Sequence, residues 1–196
     1  MNLVPTEIRR PGAYPPAPAV RFPVWRTIKL GTHKTALGLV EAAAASGHII
    51  VESALDLMAQ PTFPLAAREM ETDLVSVSVG ELGFASGTPC GWIYERARQL
   101  GLWLCPPEVG PQFALQHRCK LGELFLWVAM RPIAGSGGRP GAFAITDGER
   151  DNLWLVWYSG NPAAVCPTDF RFVFVLPRRH GPDRHALAAV RPFSRH

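Results

Sequence analysis

The sequence lacks the features that mark membrane-spanning and secreted proteins. No apolar run approaches the roughly 18 residues that a membrane-spanning helix needs. Prolines and arginines interrupt the N-terminus, where a signal peptide would have a continuous apolar core. Asn-x-Ser/Thr glycosylation sites are also missing, because Asn161 precedes a proline and Asn2 and Asn152 lack the hydroxyl residue. We therefore expect a cytoplasmic protein that makes no contact with a membrane.

Cysteines are few, and their spacing argues against a metal site or a disulfide framework. The chain has four cysteines and no C-x-x-C pair. These are Cys90, Cys105, Cys119 and Cys166. A structural zinc site takes four ligands in recognisable clusters, and the only histidine near a cysteine is His117, two residues from Cys119. We expect free thiols and no metal.

Motifs for nucleotide binding and for common hydrolases are missing as well. The sequence has no G-x-S-x-G and no H-E-x-x-H. The glycine-rich run 135–141 lies between two predicted strands, whereas a phosphate-binding loop needs a helix after it. This run is predicted to be a hairpin loop, and no cofactor is expected.

Charge and proline divide the chain into three parts. Residues 1–21 form a proline-rich arm that we expect to be an extended spacer, with a role as a ligand for an aromatic groove as the alternative. Residues 22–177 are predicted to form a single domain, with a core supported by the 47% apolar residues of the chain. Residues 178–196 form a basic tail that carries the whole net charge of +4.

The first half of the domain is predicted to be largely helical. Apolar residues repeat with helical period over Lys34–Ser46 and over His48–Ala59, on either side of Gly47. A DNA-reading helix-turn-helix is disfavoured because the second helix presents Glu52 and Asp56, which would repel phosphate. Strands are predicted before and after this pair, at Phe22–Leu30 and Asp73–Val79.

A third helix and a turn are predicted within Thr88–Gln116. Thr88 fits an N-cap with Pro89 at the first helical position, and Gly101 fits the stop. Two prolines follow Cys105, and Gly110-Pro111 is interpreted as a turn.

The rest of the domain is predicted to be β-structure. The candidate strands are Gln112–His117, Glu123–Arg131, Ala142–Thr146, Asn152–Tyr158 and Phe170–Leu176. Their connections are too short for crossover helices, which favours antiparallel pairing. The predicted fold is α+β, with an antiparallel sheet of about five strands from the C-terminal half and three short helices from the N-terminal half on one face. We expect most tryptophans in the core.

Several blocks of the domain resemble an uncharacterised family of bacterial hypothetical proteins. They are FPVWRTIKLG, ELGF, IYERARQLGLWLCPPEVGPQFALQ and FRFVFV. The resemblance covers about Phe22–Pro177, and LCP-x-EVGP is its specific part. It implies a bacterial, cytoplasmic protein. No activity, ligand or catalytic residue is assigned to that family, so the resemblance transfers no site.

Three residues of the domain are candidates for chemistry. Cys105 is a possible nucleophile, although a position after a helix C-terminus disfavours a thiolate and a buried structural role competes. Glu108 is a possible general acid or base if a second group approaches it. His117 is a possible partner, and any cleft is expected around residues 105–117.

The tail supplies a separate candidate. Arg178, Arg179 and Arg184 could contact nucleic acid weakly, since arginine pairs with phosphate; a solvated tail is the alternative.

We therefore expect a non-catalytic domain that binds a protein or a small ligand. The first alternative is a small hydrolase or transferase that uses Glu108 with His117 or a cysteine. The second is weak nucleic-acid association through the tail. Whether the protein is an enzyme stays open at this point.

Overall fold

A computed structural model describes residues 22–118, 125–148 and 152–178. The arm 1–21, the tail from Arg179 onwards and Cys119 lie outside the described residues. The helices are α1 (Ala36–Ala45), α2 (Glu52–Met58), α3 (Cys90–Gln99) and α4 (Val109–Gln116). The strands are β1 (Arg26–Leu30), β2 (Ile49–Ile50), β3 (Met70–Ser78), β4 (Thr88–Pro89), β5 (Phe125–Val128), β6 (Ile133–Ala134), β7 (Pro140–Asp147), β8 (Leu153–Ser159), β9 (Val165–Cys166) and β10 (Arg171–Val175).

A large mixed sheet organises the described part of the chain. Its strand order is β1-β3-β10-β5-β7-β8-β2, with β6 also paired to β7. Strands β4 and β9 form a separate two-stranded ribbon. The prediction of an antiparallel sheet of about five strands with three helices is wrong, because the described residues form a mixed sheet of eight strands and four helices.

Two parallel pairs make the sheet mixed. Strand β10 runs parallel to β5, and β2 runs parallel to β8. A short connection excludes parallel pairing only for strands that follow each other along the chain. In the sequence, β7, β8 and β9 lie between β5 and β10. The chain between these two strands is therefore long, and the short length of each single connection does not prevent their parallel pairing.

Helix α4 replaces the predicted strand Gln112–His117 and the predicted turn at Gly110-Pro111. Proline is tolerated in the first turn of a helix, where its missing N–H has no intrahelical partner. The absent side chain of Gly110 lets α4 approach the sheet, since a Cβ there would lie 3.0 Å from Leu155 and 3.1 Å from Phe143. The Gly-Pro pair therefore serves close packing and helix initiation here.

The helices pack on both faces of the sheet. Strand β10 shows the division, because Val173 belongs to one buried cluster and Phe172 and Phe174 belong to the other. The first cluster contains buried residues of α1, α2 and α4, and the second contains those of α3. The expectation that the helices cover a single face is therefore wrong.

Smaller differences from the predictions occur where helices begin. The predicted helix His48–Ala59 starts with strand β2, and only Glu52–Met58 is helical. Thr88 lies in β4 instead of capping α3, whose N-cap residue is Pro89 and has no side-chain capping bond. None of the helices in the described part of the chain has the length and apolar character to cross a membrane.

Candidate functional site

A cleft forms where the parallel strands β5 and β10 separate. Beyond their paired residues, the segment after α3 enters between them: Trp103 pairs with Val175, and Cys105 pairs with Met130. Carboxyl ends of diverging parallel strands are a recurrent place for ligand sites in sheets with helices on both faces. The cleft lies beside this inserted segment.

The cleft is large and mainly apolar. Its volume is about 970 Å³, at the upper end of what small-molecule sites occupy. Its walls come from residues 62–64, from α3, from residues 102–107 and from residues 131–134. The apolar lining includes Leu102, Trp103, Leu104, Ile133 and Phe174. Trp103 is 42% exposed, so a large aromatic surface faces the solvent at this point.

Prolines and backbone hydrogen bonds make the walls rigid. The lining includes Pro64, Pro106, Pro107 and Pro132, and the ring of each fixes φ. Trp103 exchanges two 2.9 Å backbone hydrogen bonds with Val175. The N–H of Cys105 donates to the carbonyl of Ala129 at 2.6 Å. These rings and hydrogen bonds restrain the backbone of the segments that form the cleft.

Few polar side chains line the cleft. Arg98 and Glu95 of α3 form an ion pair at 2.8 Å, and Thr62 and Arg131 also line the cleft. The hydroxyl of Tyr94, another lining residue, bonds the hydroxyl of Tyr158 at 2.9 Å. An apolar body with a small number of polar contacts is the ligand chemistry that this lining suits.

Glu108 lies in the interior, apart from the residues that line the cleft. It is 1% exposed. Its Oε1 accepts hydrogen bonds from the backbone N–H of Gly31 at 2.7 Å and from Nε2 of Gln112 at 2.9 Å. Its Oε2 accepts from the backbone N–H of Ala66 at 2.7 Å. The carboxylate thus joins the start of α4 to two loops through three donors.

Glu108 begins a row of polar side chains along α4. Gln112 bonds the hydroxyl of Thr32, and Nε2 of Gln116 donates to Oε1 of Gln112 at 3.0 Å. Gln116 also accepts from the N–H of Lys29 at 2.8 Å and donates to its carbonyl at 2.7 Å. Since β1 is an edge strand, the Gln116 amide takes the place of a neighbouring strand at this position.

His117 stands in a stack of aromatic rings at the end of α4. Its ring lies 4.4 Å from that of Phe113, which in turn stacks on Trp25 at 5.3 Å. Burial, followed by the charge of Arg26, lowers the pKa of His117. Its Nδ1 is buried and has no hydrogen-bond partner. Among the described residues, no hydrogen bond joins His117 to Glu108.

Of the predicted site residues that the structure describes, Cys105 is the one that lines the cleft. It is 3% exposed, and its thiol donates to the carbonyl of Val173 at 3.3 Å. Burial raises its pKa well above the usual range for a thiol. A neutral, buried thiol is a poor nucleophile.

Arg178 makes contacts within the domain. Its guanidinium bonds both oxygens of Asp73, at 2.7 and 2.8 Å, and Oε2 of Glu71 at 3.1 Å. A nucleic-acid phosphate would compete with these two acidic side chains. Arg179 and Arg184 lie outside the described residues, so the structure gives no position for them.

The sequence pointed to only part of this cleft. The sequence predicts any cleft around residues 105–117, and Cys105, Pro106 and Pro107 at the start of that range line it. The walls formed by residues 62–64 and 131–134 carry no motif. These two segments lie beside the cleft because of the order of the strands in the sheet, and the sequence does not specify that order.

Comparisons with models of known protein families, with curated proteins and with solved structures found no match. The resemblance to an uncharacterised bacterial family therefore stays a prediction.

Proposed function

We propose that the protein is a non-catalytic binding domain that holds a mainly apolar small molecule in the cleft beside Trp103. The observation that carries the proposal is the cleft itself, with its volume of about 970 Å³ and its apolar lining. The volume suits a small molecule, and proline-fixed walls lower the cost of ordering the site on binding.

The alternative, an enzyme that uses Glu108, has less support. A general acid or base must reach a substrate proton, and all described contacts of Glu108 are to the chain's own donors. The residues proposed to act with it, Cys105 and His117, have no hydrogen bond to it in the described parts of the chain. Binding of a ligand in the cleft does not require Glu108, Cys105 or His117 to react.

The bacterial origin and the cytoplasmic location also stand as proposals. Their support is the block resemblance, the wide spacing of the cysteines and the missing glycosylation sites. Cell fractionation of the source organism with an antibody against the protein would test the location, and recovery outside the cytoplasm would contradict it.

Fluorescence titration tests the binding proposal. The probe is anilinonaphthalene sulfonate, an aromatic anion that becomes fluorescent in apolar sites. Trp103→Ala removes an aromatic wall of the cleft, and Trp154→Ala is the matched control, because Trp154 is 36% exposed and does not line the cleft. We expect saturable binding that Trp103→Ala weakens and Trp154→Ala leaves unchanged. Equal effects of the two substitutions, or no saturable binding, would contradict the proposal.

A further inference from the structure

Two buried thiols touch where helix α3 meets strand β9. The Sγ atoms of Cys90 and Cys166 lie 3.2 Å apart, although the residues are 76 positions apart in the sequence. The residues are 5% and 7% exposed. A disulfide has sulfurs about 2.05 Å apart, so small side-chain rotations could bring these two atoms to bonding distance.

The backbone fixes this contact from both sides. In the β4–β9 ribbon Thr88 pairs with Cys166 and Pro89 pairs with Val165. The N–H of Cys90 then donates to the carbonyl of Ala164 at 2.9 Å. The first residue of α3 is therefore held against β9 whether or not the sulfurs are bonded.

We propose that Cys90 and Cys166 form a reversible dithiol–disulfide site that a hydroperoxide oxidises. The Cys166 thiolate attacks one oxygen of the peroxide, which breaks the O–O bond and leaves a sulfenic acid and hydroxide. The hydroxide takes the proton of Cys90 and leaves as water, and the Cys90 sulfur then displaces hydroxide from the sulfenic acid. The proton that Cys166 released on becoming a thiolate converts this second hydroxide to water. With hydrogen peroxide, the net reaction turns two thiols and one peroxide into a disulfide and two waters.

Either sulfur can donate the hydrogen bond between them. When Cys90 donates it, the bond lowers the pKa of Cys166, and Cys166 is then the first thiolate. The same bond and burial raise the pKa of Cys90, which keeps its proton until Cys166 has reacted. Cys105 has no thiol neighbour among the described residues, and its hydrogen bond goes to the Val173 carbonyl.

This site adds a redox function to the proposed binding function. Gly91 and Tyr94 follow Cys90 on α3 and line the cleft. A disulfide would therefore tie the α3 wall of the cleft covalently to β9.

Peptide mapping of the full chain tests the proposal. The reduced protein is treated with hydrogen peroxide, alkylated without reductant and digested. We expect a peptide that joins Cys90 to Cys166, lighter by two hydrogen atoms than the sum of its parts and separated again by dithiothreitol. Cys105→Ala and Cys119→Ser are the controls, and both should keep this peptide.

Two variants make the test decisive. Cys90→Ser should abolish the linked peptide and leave a Cys166 sulfenic acid that dimedone traps. Cys166→Ala removes the thiol on β9 and should leave Cys90 unmodified at the same peroxide concentration. Sulfinic or sulfonic products without a Cys90–Cys166 link, or a link to another cysteine instead, would overturn the proposal.

Discussion

Gly31 and Glu108 lie 77 residues apart in the sequence, and the backbone N–H of Gly31 donates a 2.7 Å hydrogen bond to Oε1 of Glu108. Gly31 has φ +73°, and a side chain there would collide with the carbonyl of Arg68. The loop after β1 therefore takes a conformation that glycine permits, and this conformation offers its N–H to the carboxylate. The contact identifies Glu108 as a link between segments of the fold.

Glu108→Gln tests this structural role. Glutamine keeps the size of the side chain but puts an amide NH₂ where one oxygen accepts from Gly31 or Ala66. A donor would then face a buried donor, so we expect the free energy of unfolding to fall by about 1 to 3 kcal/mol. Urea denaturation measures this loss.

Glu41→Gln on the exposed side of α1 is the control for the same chemical change. We expect it to alter stability by less than about 0.5 kcal/mol. Equal stability of the two variants would contradict a structural role for Glu108.

The elements that the sequence predicted correctly are those with a complete local pattern. Val75, Val77 and Val79 alternate along the chain, and all three belong to one buried cluster. Helix α4 was missed because a glycine and a proline in its first turn look like a turn when tertiary packing is unknown. Local pattern contains no information on which non-consecutive strands pair, so neither the parallel pairs nor the cleft walls formed by residues 62–64 and 131–134 could be predicted.

The edge strand β1 supplies a second prediction. Gln116→Ala removes both side-chain bonds to Lys29 and leaves its N–H and carbonyl open to water. We expect faster hydrogen–deuterium exchange at the Lys29 amide and a stability loss of about 1 kcal/mol. Gln99→Ala is the control, because the bond of the Gln99 side chain within the described residues is to Glu95 on the exposed surface of α3. Unchanged exchange at Lys29 would contradict the role of Gln116.

His48 makes stability depend on pH. It is 5% exposed, and its Nδ1 accepts a 3.0 Å hydrogen bond from the N–H of Leu153. Burial, followed by the charge of Arg118, lowers its pKa below 6.5. The unfolded chain therefore binds this proton more readily than the folded protein, so stability is full above about pH 6.5 and falls as the pH drops below it.

His48→Asn tests this pH dependence. Asparagine keeps an acceptor near the position of Nδ1 and does not titrate. We expect the free energy of unfolding to change less between pH 7.5 and pH 5 than in the wild type. The lowered pKa of His117 leaves part of the dependence in place. An unchanged slope would contradict the assignment to His48.

The Arg178–Asp73 ion pair gives a prediction at lower pH. Hydrogen bonds from Arg178 lower the pKa of Asp73 below 3.8. The ion pair therefore stabilises the folded protein fully at pH values above 3.8. This stabilisation is lost as the pH falls through the lower pKa that Asp73 has in the folded protein. Arg178→Gln should raise the pKa of Asp73, measured by carboxyl NMR titration, whereas Arg98→Gln should not. An unshifted Asp73 in the Arg178 variant would contradict the pairing.

Backbone NMR with the anilinonaphthalene sulfonate probe tests the binding proposal most directly, because it locates the bound molecule. We expect the amide shifts to concentrate on the cleft, at Leu102, Leu104 and Ile133, with little change at Gly31 and Ala66 beside Glu108. Shifts centred on Gly31 and Ala66, with the cleft amides unmoved, would contradict it and would favour a site at Glu108.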